Sequence, residues 1–399
     1  MSLSIINSKT SNGILNFEIK SNVDNPIDKS IINGIRRTIL NDIPAVGIQQ
    51  ENIHINHNET SLHNEFMKHR ISLIPLNIDP TTYDNDYLLV LDVENKTSQI
   101  KTITANDFKI YHLKKENIGK EDLALSKDNY DLDKEIDSKL KKKILRPFII
   151  EDITSYIIIT ELKNTNSETE FQHLQLYLFP TIGTGKTNAL FNNIPQCSYS
   201  FTESPKLLKL ALTNELKIKN IAKEEKETFE REFTNAYKQR YYYRNHDNEP
   251  YWYNFVIKSN HYFNSKEIFI NSMNILIDRL NRCNENLKLI TIEPEKSRYS
   301  VTIEKNNALH FILEDENDTI GNILQSHIVN NITDDTLITF CGYKKIHPLE
   351  EKIKLVIFNK LLNDIDELSI ISKVIFSISD NIDEIVNILE EIIEKSKSI

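Results

Sequence analysis

Apolar and polar residues largely alternate through Ile14-Leu15-Asn16-Phe17-Glu18-Ile19-Lys20, which closes a strand-like segment over residues 3–20. The spacing then widens. Ile27, Ile31, Ile35 and Ile39 recur every four residues and gather into one stripe of a helix. Asn25 is placed to cap that helix, Pro26 suits its first turn, Asp28 favours its positive end, and Pro44 stops it. On a helical wheel Arg37 falls nearly opposite the stripe and Arg36 beyond its edge, so both arginines are expected to face away from the core.

Strand-like patterns recur at residues 46–55, 87–94, 148–160 and 174–179. Residues 207–237 are charge-rich and helical in period, and the turn signal Asn245-His246-Asp247-Asn248-Glu249-Pro250 opens a strand at 251–258. A helix over 268–280 presents Ile268, Met273, Ile275, Leu276 and Leu280 to a core. After about residue 289 a smaller unit begins, with a strand at 309–313 and a helix at 319–329 striped by Ile320, Ile323, Leu324 and Ile328. Asp318 or Thr319 is its expected cap. Strands at 337–343 and 352–358 follow. The chain then turns helical almost to its end, with Leu368, Ile371, Ile375, Ile378, Ile382, Ile385, Leu389 and Ile392 in steps of three and four, the spacing of a helix-packing seam. Ser379-Asp380-Asn381 offers a break in it. The fold class is α+β.

A chain of 399 residues exceeds what one core usually supports, so two or three domains are expected. The net charge of -10 argues against a surface that grips nucleic acid over its whole extent, because such binding needs Lys and Arg against phosphates. Residues 114–143 are dominated by Lys, Asp and Glu and read as a solvated insertion or a loose helix. Cys197, Cys283 and Cys341 are scattered and odd in number, which supports neither a disulfide framework nor a four-cysteine zinc site. No window approaches the ~18 apolar residues of a membrane span, and no signal-peptide pattern opens the chain.

Three features tempt a catalytic or binding reading. Gly183-Thr184-Gly185-Lys186-Thr187 ends like a phosphate-cradling loop, yet Pro180 stands where that pattern needs its first glycine. His54, His57, His63 and His69, with Glu59 and Glu65, resemble a ligand-rich stretch. On a strand, however, His54 and His57 point to opposite faces, so they read as ordinary surface histidines. Lys139-Leu140-Lys141-Lys142-Lys143, followed by Arg146, reads as a solvated face. A nucleotide-dependent enzyme built on Lys186 and a nucleic-acid-binding factor using residues 139–146 are therefore the rival functions.

Two stretches carry a family resemblance. Asn33-Gly34-Ile35-Arg36-Arg37-Thr38-Ile39-Leu40-Asn41-Asp42-Ile43-Pro44 resembles the first helix of alpha-type RNA polymerase subunits, namely bacterial alpha and the third-largest subunit of eukaryotic RNA polymerase II. His63-Asn64-Glu65-Phe66-Met67-Lys68-His69-Arg70-Ile71-Ser72-Leu73-Ile74-Pro75-Leu76 resembles a second run of the same family, with Asn64 where Asp is usual and Ser72 where Gly is usual. Gly183 to Phe191 is similar to the loop that precedes the return from the family's inserted domain. Asn307 to Phe311, Asp318 to Leu324 and Gly342 to Leu349 resemble the small partner, the eleventh subunit of the same enzyme.

The resemblance implies a fused pseudo-dimer. An alpha-like dimerisation domain would occupy residues 1–56 plus 250–290 and carry a mainly β inserted domain at 57–249, itself interrupted by a charged insertion near 114–143 and a helical one near 205–245. An eleventh-subunit-like α+β domain would fill 291–399. The implied function is a non-catalytic assembly platform for transcription, with no catalytic residue, no metal and no cofactor. Many relatives hold a metal through clustered cysteines in the inserted domain, but only Cys197 lies near that region here. Large-subunit docking is expected at Arg36, Arg37, Glu65, Phe66, His69 and Arg70. Internal pairing is expected at Ile31, Ile35, Ile39, Ile275, Ile320, Ile323, Leu324, Ile375, Ile378 and Ile382. The implied partners are the two largest polymerase subunits and small polymerase subunits, with DNA met only through the complex, no membrane, and no separate eleventh subunit. Carrying both partners on one chain resembles the fused subunit of large cytoplasmic DNA viruses, which implies the host cytoplasm or the virion, or the nucleus for a cellular source.

Overall fold

The computed structural model describes residues 3–11, 13–113, 130–164, 171–219, 221, 225–260, 262–304, 308–333, 336–360 and 366–397. Residues 114–129 of the charged insertion lie outside the described residues. The chain divides into two compact units, Met1–Ile39 with Gln196–Lys258 and Ser265–Ile399, and Leu40–Pro195 with Ser259–Asn264.

The first unit opens with β1 (Ser4–Ser11) and β2 (Ile14–Lys20), followed by α1 (Lys29–Asn41). The helix starts later than its stripe predicts. Asp28 caps it, not Asn25: its Oδ1 accepts from Ser30 N at 2.7 Å and its carbonyl accepts from Ile31 N. Ile27 is held outside the helix, its N–H donating to Ser21 Oγ and its carbonyl accepting from Tyr253 Oη.

The second unit runs through β3 (Pro44–Gly47), β4 (Ile53–Asn58), α2 (Asn64–Ser72), β5 (Tyr87–Asn95), β6 (Lys101–Thr104), β7 (Lys109–Leu113) and β8 (Tyr130–Glu135). It continues through α3 (Ser138–Ile144), β9 (Phe148–Ile150), β10 (Ile153–Ser155), β11 (Ile158–Leu162), β12 (Gln172–Leu178) and β13 (Thr181–Thr184). The order β4-β12-β5-β7-β8 forms its main sheet, and every described pairing in it is antiparallel. Leu89, Leu91 and Val93 of β5 and Leu174, Leu176 and Leu178 of β12 alternate into one core with Met67 and Ile71 of α2. The strand expected over 46–55 divides into β3 and β4, and the one over 148–160 into β9, β10 and β11.

The chain then returns to the first unit with β14 (Gln196–Phe201), α4 (Pro205–Lys219), α5 (Lys226–Tyr237), β15 (Trp252–Lys258) and α6 (Ser265–Ile292). Next come β16 (Ser300–Ile303), β17 (Leu309–Glu314), α7 (Asp318–Asn330), β18 (Ile338–Lys345), β19 (Lys352–Asn359) and α8 (Glu367–Ser396). Among the described residues two four-stranded antiparallel sheets result, β1-β2-β15-β14 and β16-β17-β19-β18. Because β14 pairs with β15 from Gln196↔Lys258 to Phe201↔Tyr253, residues 196–249 cluster with the first unit. The compact units thus divide at 39/40 and 195/196, whereas the resemblance places the insertion at 57–249.

Helix α8 passes through Ser379-Asp380-Asn381 without a break. Ser379 Oγ donates to Asn284 Oδ1 at 2.7 Å and Asn381 Nδ2 to Ser377 O at 2.8 Å, so polar groups that could compete with the helix are used within it or against α6. Among the described residues no helix is long and apolar enough to cross a membrane.

Candidate functional site

In the first unit, α1, α6 and α7 meet at Gly34. A Cβ there would stand 2.5 Å from Ile323 Cδ1 and 3.7 Å from Leu276 Cδ2, so glycine lets α1 and α7 approach closely. Ile31, Ile35, Ile39, Ile320, Ile323 and Leu324 are fully buried. The rim of this apolar contact is polar: Asp28 Oδ2 accepts from Ser326 Oγ and from Asn330 Nδ2, each at 2.7 Å. Helix α8 packs along α6, with Ile375, Ile378 and Ile382 buried, while Ile275 is half-buried.

Arg36 and Arg37 are both half-buried, and their surroundings differ. Arg36 Nε donates to Asn33 Oδ1 on its own helix at 3.0 Å. Arg37 Nε donates to Thr319 Oγ1 of α7 at 2.9 Å, so Arg37 contributes to contacts within the fold, beyond the outward orientation read from the wheel.

The sequence reading missed a buried ion pair. Arg279 of α6 reaches Glu316 at 2.7 Å with both side chains about 10% exposed or less, and it also donates to Asn317 Oδ1 at 3.3 Å. Asn317 is the cap of α7, in place of the expected Asp318 or Thr319, its side chain accepting from Thr319 N. A polar path thus runs from α6 through the α7 cap. The available signal was an arginine between apolar helix positions Leu276, Leu280 and Cys283.

In the second unit, α2 buries Met67 and Ile71 and turns Glu65, Phe66, His69 and Arg70 outward, with Phe66 68% exposed. Arg70 Nη2 donates to Ile158 O at 3.0 Å. The two residues that depart from the family pattern are accommodated: Asn64 Oδ1 accepts from Asn58 Nδ2, and Ser72 Oγ donates to His69 O.

The Gly183-Thr184-Gly185-Lys186-Thr187 segment is a tight turn. Its amides are committed inside the unit, Lys186 N to Asn41 O at 2.8 Å, Thr187 N to Thr184 O at 3.0 Å and Asn188 N to Thr184 O at 3.2 Å. A Cβ on Gly183 would lie 2.3 Å from the Phe191 ring, so the turn is pressed against an aromatic side chain. Nothing there presents a ring of N–H groups to a phosphate. A real site would add about 2.7 kcal/mol of stability at a hundredfold excess of ligand over Kd. Magnesium-ATP is expected to leave the melting temperature unchanged in a thermal scan.

His57, like His173 on the neighbouring strand, pairs with a carboxylate. His57 Nε2 lies 3.1 Å from Glu59 and His173 Nε2 lies 2.7 Å from Asp92, while His54 stacks on Tyr177. The backbone hydrogen bond from His173 and then the side-chain bond from His57 hold the Glu59 carboxyl below its usual range. Among the described residues no group of three or more His, Cys, Asp or Glu is arranged to hold a metal ion.

All three cysteines are buried, and burial pushes each thiol up to about 12, with Arg36 opposing the shift at Cys197. The thiolate is the reactive form. A colorimetric thiol titration of the native chain at pH 8 should therefore stay near zero and rise to three equivalents once guanidinium unfolds it. Rapid native labelling of any one would contradict this packing.

Set against protein-family models, residues 308–394 match the RNA polymerase Rpb3/Rpb11 dimerisation domain. This region is similar to that domain. The Rpb3/Rpb11-like region runs from the start of β17 through α7, β18 and β19 into the last turns of α8, less than a quarter of the chain. Rpb3/Rpb11-type domains belong to non-catalytic polymerase subunits, and the match supports an alpha-type RNA polymerase assembly subunit. The search of curated proteins returned no match.

Proposed function

We propose that this protein is the assembly platform of a multisubunit DNA-directed RNA polymerase, with an alpha-like half and an Rpb11-like half paired inside one chain, on which the two large catalytic subunits dock. One observation carries the reading: within a single compact unit, the Rpb3/Rpb11-like region sets α7 against α1 at Gly34 and α8 along α6, and a buried ion pair joins α6 to the loop just before α7. Covalent fusion would replace a concentration-dependent encounter with a high effective concentration. A separate eleventh subunit would then find its pairing surface already occupied.

The test is purification of the tagged chain from its source, with identification of what elutes with it. Two large polymerase subunits and no separate eleventh subunit are expected; an eluate without polymerase subunits would overturn the proposal. In this reading Arg36, Arg37, Glu65, Phe66, His69 and Arg70 receive the large subunits.

Arg36 is the cleaner probe of docking, because its hydrogen bond stays on its own helix. Arg36→Ala should melt with the parent, since Ala is the best helix former. Its affinity for the second-largest subunit should fall by about 2 kcal/mol if Arg36 is an interface hot spot. Arg37→Ala should in addition lose about 0.5–1.5 kcal/mol of stability with the Thr319 bond. Unchanged large-subunit binding by a folded Arg36→Ala chain would remove Arg36 from the docking surface.

A further inference from the structure

The strands β9 and β10 pair only with each other among the described residues, through Ile153↔Ile150, Thr154↔Ile149 and Ser155↔Phe148. A two-stranded ribbon this short is marginal in water without a third element. Its turn nevertheless holds it in shape: Glu151 at φ 48° and Asp152 at φ 68° take the left-handed backbone of a tight hairpin turn. The ribbon is also strongly apolar. Phe148, Ile149, Ile150 and Ile153 are 52%, 72%, 68% and 69% exposed, so both of its faces offer large hydrocarbon side chains to solvent. Scattered single apolar residues on a surface are ordinary, but contiguous ones mark interaction sites.

Beside the ribbon lies a cavity of about 190 Å³, lined by Ile74, Pro75, Leu145, Arg146, Phe148 and Ile157 among others. A cavity of about 150 Å³ admits benzene, so this one can take a leucine or phenylalanine side chain. The approach is basic: Lys142 and Lys143 in the last turn of α3 and Arg146 just before β9 are all exposed.

We propose that this ribbon and cavity form a docking site for an extended apolar segment, flanked by carboxylates, of another protein chain. The segment adds a strand to the ribbon's edge, seats one large apolar side chain in the cavity, and sets its acids against Lys142, Lys143 and Arg146. Glu151 and Asp152 at the tip repel phosphate, which disfavours nucleic acid and anionic membrane as occupants. The site rests on the assembly reading, which makes the donor another polymerase subunit.

Hydrogen exchange over residues 148–155 tests this, comparing the isolated full chain with the chain in the purified assembly. Protection should rise by roughly tenfold or more in the assembly, and carbodiimide should cross-link Lys142 or Lys143 to an acid-flanked apolar segment of one subunit. The Ile149→Asp/Ile150→Asp chain should melt normally, because both side chains are exposed, and should lose that protection. An assembly that keeps its polymerase subunits but leaves 148–155 unprotected overturns the docking site alone. Absence of any polymerase subunit overturns it together with the assembly reading. Protection of the isolated chain by a single-stranded DNA oligonucleotide or by phosphatidylserine vesicles would replace the protein occupant and overturn the proposal as well.

Discussion

Ile378→Asp is expected to destabilise the protein by more than about 4 kcal/mol, the largest effect of any single substitution considered for the seam. Ile378 has no exposed surface and sits mid-way along α8, between the buried Ile375 and Ile382, where α8 packs on α6. The substitution removes a burial term of about 1.5–3 kcal/mol and places a carboxylate where desolvation costs several more. Ile378→Val isolates the packing part and should cost about 0.5–1.5 kcal/mol. Phe376→Asp is the matched control: it lies two residues away on the same helix, is 68% exposed, and should change stability little. Urea denaturation midpoints of the three variants should separate accordingly. Equal midpoints for Ile378→Asp and Phe376→Asp would mean that α8 does not bury this face in solution.

Glu316→Ala is expected to cost about 3–5 kcal/mol, because it leaves the guanidinium of Arg279 in a site only 8% exposed without its 2.7 Å partner. The loss spreads through the cap: Arg279 also donates to Asn317 Oδ1, which accepts from the first turn of α7. The attraction in a buried pair largely offsets its own desolvation, so the pair as a whole contributes much less than the single variant suggests. Arg279→Met/Glu316→Leu should therefore recover most of the loss. A double-mutant cycle read by denaturant midpoint measures the difference. If Glu316→Ala alone is neutral, the pair is solvated in solution and does not organise the α6–α7 junction.

Much of the secondary structure could be read from the chain because side-chain period is a local property. The four-residue spacing of Ile27, Ile31, Ile35 and Ile39 announced a helical stripe, and the alternation ending at Lys20 announced a strand, because each pattern needs one face of one element to be buried. The threes and fours from Leu368 to Ile392 likewise outlined a long helix with a buried face, and its interior isoleucines are buried. Element ends were less legible: α1 begins at Lys29 because Ser21 and Tyr253, remote in sequence, hold Ile27.

What only the tertiary structure decided involves groups that meet across long separations. Nothing local to Arg37 names Thr319, 282 residues on, as its acceptor, and nothing local to Asp28 names Ser326 or Asn330. The unbroken passage of α8 through Ser379-Asp380-Asn381 rests partly on Asn284, 95 residues earlier, accepting from the Ser379 hydroxyl. Hydrophobic burial is non-directional and leaves a periodic trace in the sequence, whereas a hydrogen bond or ion pair needs two particular atoms within about 3 Å and leaves none. The chain by itself therefore specified which faces are buried. The partner of each buried polar group, and with it the division of the chain into its two units, emerged only once those faces had packed.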